Sequence, residues 1–154
     1  MSFEDSAKRV AKQCLSLRMR ILDRTLTSFF DDAFRPLGIT AGQFHILLYA
    51  ANSGRVLPRE MCATLHMDKS TASRNLDRME VQGWIVHVKE RDARTQPFEL
   101  TKQGTAILEK AFPLWEAAQE QAVDSVRRDG DRAVARHGQE TRAARCATRQ
   151  PKPA

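Results

Sequence analysis

No stretch of this 154-residue chain approaches the ~18 consecutive apolar residues that a membrane-spanning helix needs. Its opening, MSFEDSAKRV, is acidic where an export signal would be basic and then apolar. Both features predict a cytoplasmic chain with no membrane partner. Cysteine is scarce: Cys14, Cys62 and Cys146 are odd in number, far apart and without C-x-x-C spacing. That argues against a disulfide framework or a cysteine zinc site, and it fits a reducing compartment. The histidines His45, His66, His87 and His137 share no ligand spacing, so neither a metal nor a cofactor is expected. No Ser/His/Asp order, carboxylate pair or phosphate-binding glycine loop is visible, and an enzyme finds no support.

What is present suffices for one domain, or one domain with an appendage, since 42% of residues are apolar. The net charge of +6 is unevenly spread: +3 over residues 1–57, +1 over 58–103, −3 over 104–126 and +5 over 127–154. The surplus basicity lies largely in the tail, so charge alone supports nucleic-acid binding only modestly and pattern has to decide.

Within residues 1–36, Val10, Cys14, Leu17 and Ile21 recur at helical spacing, with Leu15, Leu22, Leu26, Phe29 and Phe30 on an adjoining stripe. A helix with two apolar stripes in a small domain predicts a second chain packed on one of them. Pro36 and Gly38 break it. Thr40 followed by Gln43 has the form of a capping box, starting a helix from about 41 to 51. Pro58 suits the first turn of a short third helix, PREMCATLH. Asp68 can cap a helix whose apolar face is Ala72, Leu76 and Met79 and whose other side carries Ser70, Ser73, Arg74 and Asp77. Gly83 ends that helix. WIVHVK then reads as a strand and PFEL as a second, with Pro97 limiting it to an edge or a first position. The loop between them holds ERDAR. Short helix, tight turn, polar-faced helix and basic-tipped hairpin make a winged helix-turn-helix, in a mainly α fold whose only sheet is a small β-hairpin wing.

From about Leu37 to Gly104 the chain resembles the MarR (multiple antibiotic resistance regulator) family of bacterial winged-helix repressors. The resemblance rests on LGIT and QF.IL, on MCATLHMDKSTASRNLDRMEVQGWI as helix-turn-helix, and above all on D.R…..LT..G, present as Asp92, Arg94, Leu100, Thr101 and Gly104. It implies a homodimeric transcriptional regulator that binds double-stranded DNA at a pseudo-palindromic operator and is a repressor released by a small molecule. Release would change the spacing of two recognition helices that must sit about one helical turn (~34 Å) apart. The expected organisation is a dimerisation helix in 1–36, the winged helix-turn-helix in 37–101, a long helix and a weak terminal helix in 102–147, and a flexible tail in 148–154. The resemblance further implies that Arg94 enters the minor groove, that Asp92 braces its guanidinium, and that Arg91 meets a phosphate. Lys69, Ser70, Thr71, Ser73, Arg74 and Arg78 can offer hydroxyl, ammonium and guanidinium groups to the major groove. Arg74 is the candidate for guanine O6 and N7, while Ser70 and Ser73 suit short contacts to phosphate or base.

After Thr101, a candidate N-cap, a long helix is expected with Ile107, Ala111, Trp115, Ala118, Ala122 and Val126 on one stripe and a kink at Pro113. Beyond it the chain departs from the family, being rich in Ala and Arg and interrupted by Gly130 and Gly138, which predicts only a weak helix near 131–147. A small aromatic or anionic effector has a candidate crevice lined by Phe44, His45, Leu48 and Trp115, with Arg18 or Arg20 facing its charge; core packing explains the same residues. Cys14, with Arg18 one turn on, is a candidate redox switch or a packed core or interface cysteine. Peroxide-sensing relatives place their thiol at the position of Ser16, and Phe30 and Ala41 stand where they have tyrosines. Two alternatives stay open: a winged-helix module for protein contact without specific DNA binding, and a redox-responsive regulator acting through Cys14.

Overall fold

A computed structural model describes residues 2–89 and 96–129, with the backbone alone at Lys12 and over 125–129. In chain order the elements are α1 (Phe3–Gln13), α2 (Leu15–Phe34), a 3-10 turn (Arg35–Leu37), α3 (Ala41–Ser53), α4 (Pro58–Thr64), α5 (Lys69–Val81), β1 (Ile85–His87), β2 (Phe98–Leu100) and α6 (Lys102–Asp129). The fold is mainly α with a two-stranded antiparallel hairpin, as the sequence predicts. No helix among the described residues is long and apolar enough to cross a membrane. The expected terminal helix near 131–147 lies outside the described residues.

The single N-terminal helix is corrected to two. Cys14 takes an extended conformation, φ −66° and ψ 106°, while its N–H still donates to the Val10 carbonyl at 2.8 Å. Its own carbonyl accepts from the Arg18 N–H at 3.1 Å, so one residue closes α1 and opens α2. A single extended ψ interrupts the ladder here, with neither proline nor glycine to mark the place.

The chain divides into two compact units, residues 1–32 with 117–154, and residues 33–116. In the first, the buried described residues are Thr25, Ala118 and Ala122. Large apolar side chains there stay exposed in the single chain: Phe3 at 87%, Leu15 at 70%, and Val10, Leu17, Met19 and Ile21 at 40% or more. Along α6 the predicted stripe is buried at Ala111, Ala118 and Ala122, but Trp115 keeps 37% of its surface exposed and Leu108 is buried instead. The helix runs continuously through Pro113, which has no N–H to offer the ladder.

The second unit holds the larger core. Phe34 and Phe44 stack at 4.7 Å, and Ile46, Leu47, Val56, Met61, Met79, Ile85 and Phe98 are almost wholly enclosed. The capping box starts α3 as expected: the Thr40 hydroxyl accepts from the Gln43 N–H at 3.2 Å, and the Gln43 amide oxygen accepts from the Thr40 N–H at 3.0 Å. Between α4 and α5 the chain turns through His66, a non-glycine residue at φ 49°, while the Met67 N–H reaches back to the Cys62 carbonyl at 3.0 Å. After α5, Gly83 at φ 72° forms a Schellman closure: its N–H bonds Glu80 at 2.8 Å and the Trp84 N–H bonds Met79 at 2.9 Å.

The hairpin pairs Ile85 with Leu100, Val86 with Glu99 and His87 with Phe98. The strands are three residues each, shorter than WIVHVK and PFEL suggested, and Pro97 falls just before β2. Phe98 also bridges Val56, exchanging N–H···O bonds of 2.9 and 3.0 Å, which adds a third strand for one rung. The α6 N-terminus is then fixed against the end of α5. The Thr101 hydroxyl accepts from the Gly104 N–H at 3.0 Å, the expected N-cap, and donates to the Gly83 carbonyl at 2.6 Å. The Thr101 N–H bonds the Trp84 carbonyl at 3.0 Å. A Cβ at Gly104 would overlap that same carbonyl and lie 2.7 Å from Leu100 Cδ1. Backbone cannot swing aside as a side chain can, so Gly104→Ala is expected to destabilise the fold by about 2–3 kcal/mol or more. Urea unfolding of the two proteins measures it, and an unchanged midpoint would contradict this packing.

Candidate nucleic-acid interface

The interface is built on α5, whose two faces the sequence separates. Ala72, Leu76 and Met79 are buried at i, i+4 and i+7. Lys69, Ser70, Ser73, Arg74, Asp77 and Arg78 are exposed, and Thr71 and Asn75 are half-buried between the two sets. Thr71, grouped with the major-groove residues from sequence, is therefore set back from the exposed face. Its hydroxyl accepts a hydrogen bond from Arg74 Nη2 at 3.4 Å, which supports the guanidinium one turn on. Asn75 spends a side-chain N–H on the Thr71 carbonyl at 3.1 Å.

The start of α5 is capped by Asp68. One carboxylate oxygen, Oδ1, accepts both the Thr71 N–H at 2.8 Å and the Ser70 hydroxyl at 2.7 Å. Hydrogen bonds from Thr71, then from Ser70, hold the Asp68 carboxyl well below the ordinary carboxylate value. The cap was legible in the sequence. The use of the same oxygen to hold Ser70 was not, although an acidic residue two positions before a serine at a helix start is a sufficient signal.

At the root of the wing, the Val88 N–H donates to the Pro97 carbonyl at 2.7 Å. His87 Nδ1 lies 3.2 Å from the Gln96 carbonyl, and its Nε2 is 3.9 Å from Glu80 Oε2 at the end of α5. The sequence did not single out Gln96, which sits at φ 38°. Arg91, Asp92 and Arg94, the wing residues implied by the family motif, lie outside the described residues.

The other candidates fall in both units. Phe44 is buried, Leu48 half-buried and Trp115 partly exposed, all in the unit of residues 33–116. Arg18 and Arg20 are exposed and belong to the other unit. His45 is an exposed residue, yet partial desolvation of its ring, 6.0 Å from that of Phe44, lowers its pKa below the ordinary histidine value. Cys14 and Cys62 are free and half-buried. Among the described residues, no three His, Cys, Asp or Glu side chains gather in a way that could hold a metal ion.

Comparison with known proteins places this geometry. The model of the MarR family matches residues 37–94, from the turn before α3 to the wing. The multiple antibiotic resistance protein MarR of Salmonella typhimurium is 35% identical over 89 residues, 57% of this chain and 59% of that protein, so the chain spans less than two thirds of that relative. An uncharacterized HTH-type transcriptional regulator of Bacillus cereus is 30% identical over 104 residues, 68% of this chain and 69% of the relative. Among solved structures, the M. tuberculosis transcriptional regulator MOSR in complex with DNA superposes with a TM-score of 0.67 at 34% identity, covering 86% of this chain and 99% of that one.

The Asp68 cap carries a pH dependence whose sign follows from its lowered pKa. The folded state prefers the ionised carboxylate, so the stabilisation is complete above the unfolded carboxylate value and is lost as pH falls below it. The stability gap between the unaltered chain and Asp68→Ala should therefore be constant from about pH 8 to pH 5 and narrow below about pH 4. Asp68→Asn keeps a capping oxygen and should retain most of the stability at neutral pH. Urea midpoints across that range provide the check, and a gap that widens on acidification would reverse the assignment.

Proposed function

The chain belongs to the MarR family of winged-helix transcriptional regulators, and from that premise we propose that it acts as a homodimer whose two α5 helices enter major grooves of a pseudo-palindromic operator. The observation that carries this is the division of α5 into a wholly buried apolar face and an exposed face of Lys69, Ser70, Ser73, Arg74 and Arg78. The M. tuberculosis relative solved with DNA supports it. Arg74, steadied by Thr71, is suited to the two acceptors of guanine, and Lys69 and Arg78 to phosphates. The motif Arg91, Asp92 and Arg94 supplies the wing, with Arg94 in the minor groove and Asp92 as its brace. Repression lifted by a small aromatic or anionic effector is the regulation that family membership supports.

The surplus apolar residues of α1 and α2 support association with a second copy. Burying Phe3, Val10, Leu15, Leu17, Met19 and Ile21 would remove from water side chains worth roughly 1.5–3 kcal/mol each when fully enclosed. Sedimentation at micromolar concentration should return a dimer, and a stable monomer would sink this part of the proposal.

Operator titrations at several salt concentrations test the wing. Arg94→Ala should weaken binding and make the slope of log K against log salt shallower by roughly one unit per lost phosphate-equivalent contact in each subunit. Asp92→Ala removes a negative charge near DNA, which by long-range electrostatics alone would tighten binding. A brace predicts weaker binding, because the freed arginine must be ordered on each encounter. Tighter binding by Asp92→Ala with the fold intact would reduce Asp92 to a surface charge.

A further inference from the structure

We propose that Ser70 acts as a hydrogen-bond acceptor that reads an exocyclic amino group, adenine N6 or cytosine N4, in the major groove, and that it makes no phosphate contact. The inference rests on the operator-binding function proposed above and names what one residue of that surface recognises.

A serine hydroxyl has one proton and two acceptor lone pairs. In Ser70 the proton is committed to Asp68 Oδ1 at 2.7 Å, an ionised acceptor and so the stronger kind of bond. Phosphate oxygens accept and do not donate. To meet one, Ser70 would have to surrender its bond to a carboxylate and form one to another anion, with no gain in the exchange. The carboxylate adds repulsion, because a phosphate oxygen at hydrogen-bond distance from Ser70 Oγ would lie within about 5–6 Å of Asp68, where like charges are costly. The first turn of a helix is the usual seat for a phosphate, but Asp68 already occupies that position on α5 and satisfies the Thr71 N–H.

What remains exposed on Ser70 is two lone pairs backed by a negative charge. That combination is complementary to a donor, and the donors on base edges in the major groove are the amino groups of adenine and cytosine. One turn further along the same exposed face, Arg74 can only donate. The i and i+4 positions of α5 therefore present opposite polarities to neighbouring bases, a requirement that a surface made for phosphates alone would not have.

The test begins with selection of bound duplexes from a random pool by the unaltered chain, by Ser70→Ala and by Ser70→Thr. The unaltered chain should specify adenine or cytosine at one position in each half-site, Ser70→Thr should keep that preference, and Ser70→Ala should lose it there alone with its salt slope unchanged. On the selected operator, replacing that adenine by purine, or that cytosine by 2-pyrimidinone, removes only the amino group. The replacement should weaken the unaltered chain roughly five- to tenfold and Ser70→Ala by less than about twofold. Ser70→Ala keeps the Thr71 N–H on Asp68, so the cap survives, and a melting curve verifies it. Uniform weakening across all sequences with a shallower salt slope would make Ser70 a phosphate contact and overturn the inference. Selection of no sequence by the unaltered chain would overturn the operator function and this inference with it.

Discussion

The hydroxyl of Thr101 joins two stretches that lie far apart in the chain, 83–84 and 101–104. It accepts from the Gly104 N–H to begin α6 and donates to the Gly83 carbonyl that ends α5. The Thr101 N–H meanwhile ties β2 to the carbonyl of Trp84 at the head of β1. Each of those groups would otherwise be an unpaired polar atom in a half-buried site, where lost hydrogen bonds are expensive. Gly104 completes the junction by having no Cβ, since the Trp84 carbonyl occupies the space a side chain would need. The LT..G part of the motif thus has a physical content: a paired strand residue, a bridging hydroxyl and a close backbone approach.

The short hairpin depends on that junction and on the core beneath it. Two strands of three residues are marginal by themselves. Here β2 is held on both edges at Phe98, by His87 of β1 and by the Val56 bridge, and its Phe98 side chain is fully enclosed. Trp84 and Ile85 are buried beside the Schellman turn that ends α5. The end of α5 and the root of the hairpin are consequently two parts of one hydrogen-bonded assembly, and a side chain on either is presented from a rigid support.

The two units use apolar residues in different ways. Residues 33–116 enclose most of theirs, with stacked Phe34 and Phe44 and a run of side chains almost without solvent contact. The unit of 1–32 with 117–154 leaves Phe3, Val10, Leu15, Leu17, Met19 and Ile21 exposed, half-buries Leu22, Leu26, Phe29 and Phe30 and, among the described residues, buries one threonine and two alanines. Scattered exposed apolar residues are ordinary in soluble proteins; here six lie on two consecutive helices.

Much of this was determined by the sequence alone, wherever the cause is local. The Thr40–Gln43 capping box, the Asp68 cap, proline at the start of α4, Gly83 at the end of α5 and the buried triplet Ala72, Leu76 and Met79 each follow from interactions within one or two turns. The order of helices and hairpin follows from them. Tertiary structure decided what depends on distant atoms or on one torsion among several allowed. The break at Cys14 carries no proline or glycine, and the turn between the helices of the helix-turn-helix uses a left-handed histidine, His66, where glycine would have signalled it. Trp115 lies on a predicted apolar stripe yet remains partly exposed, because periodicity gives a direction around the helix axis and not the neighbour that meets it. Gly104 read as a motif letter became a steric requirement only when Trp84, twenty residues earlier, was brought against it.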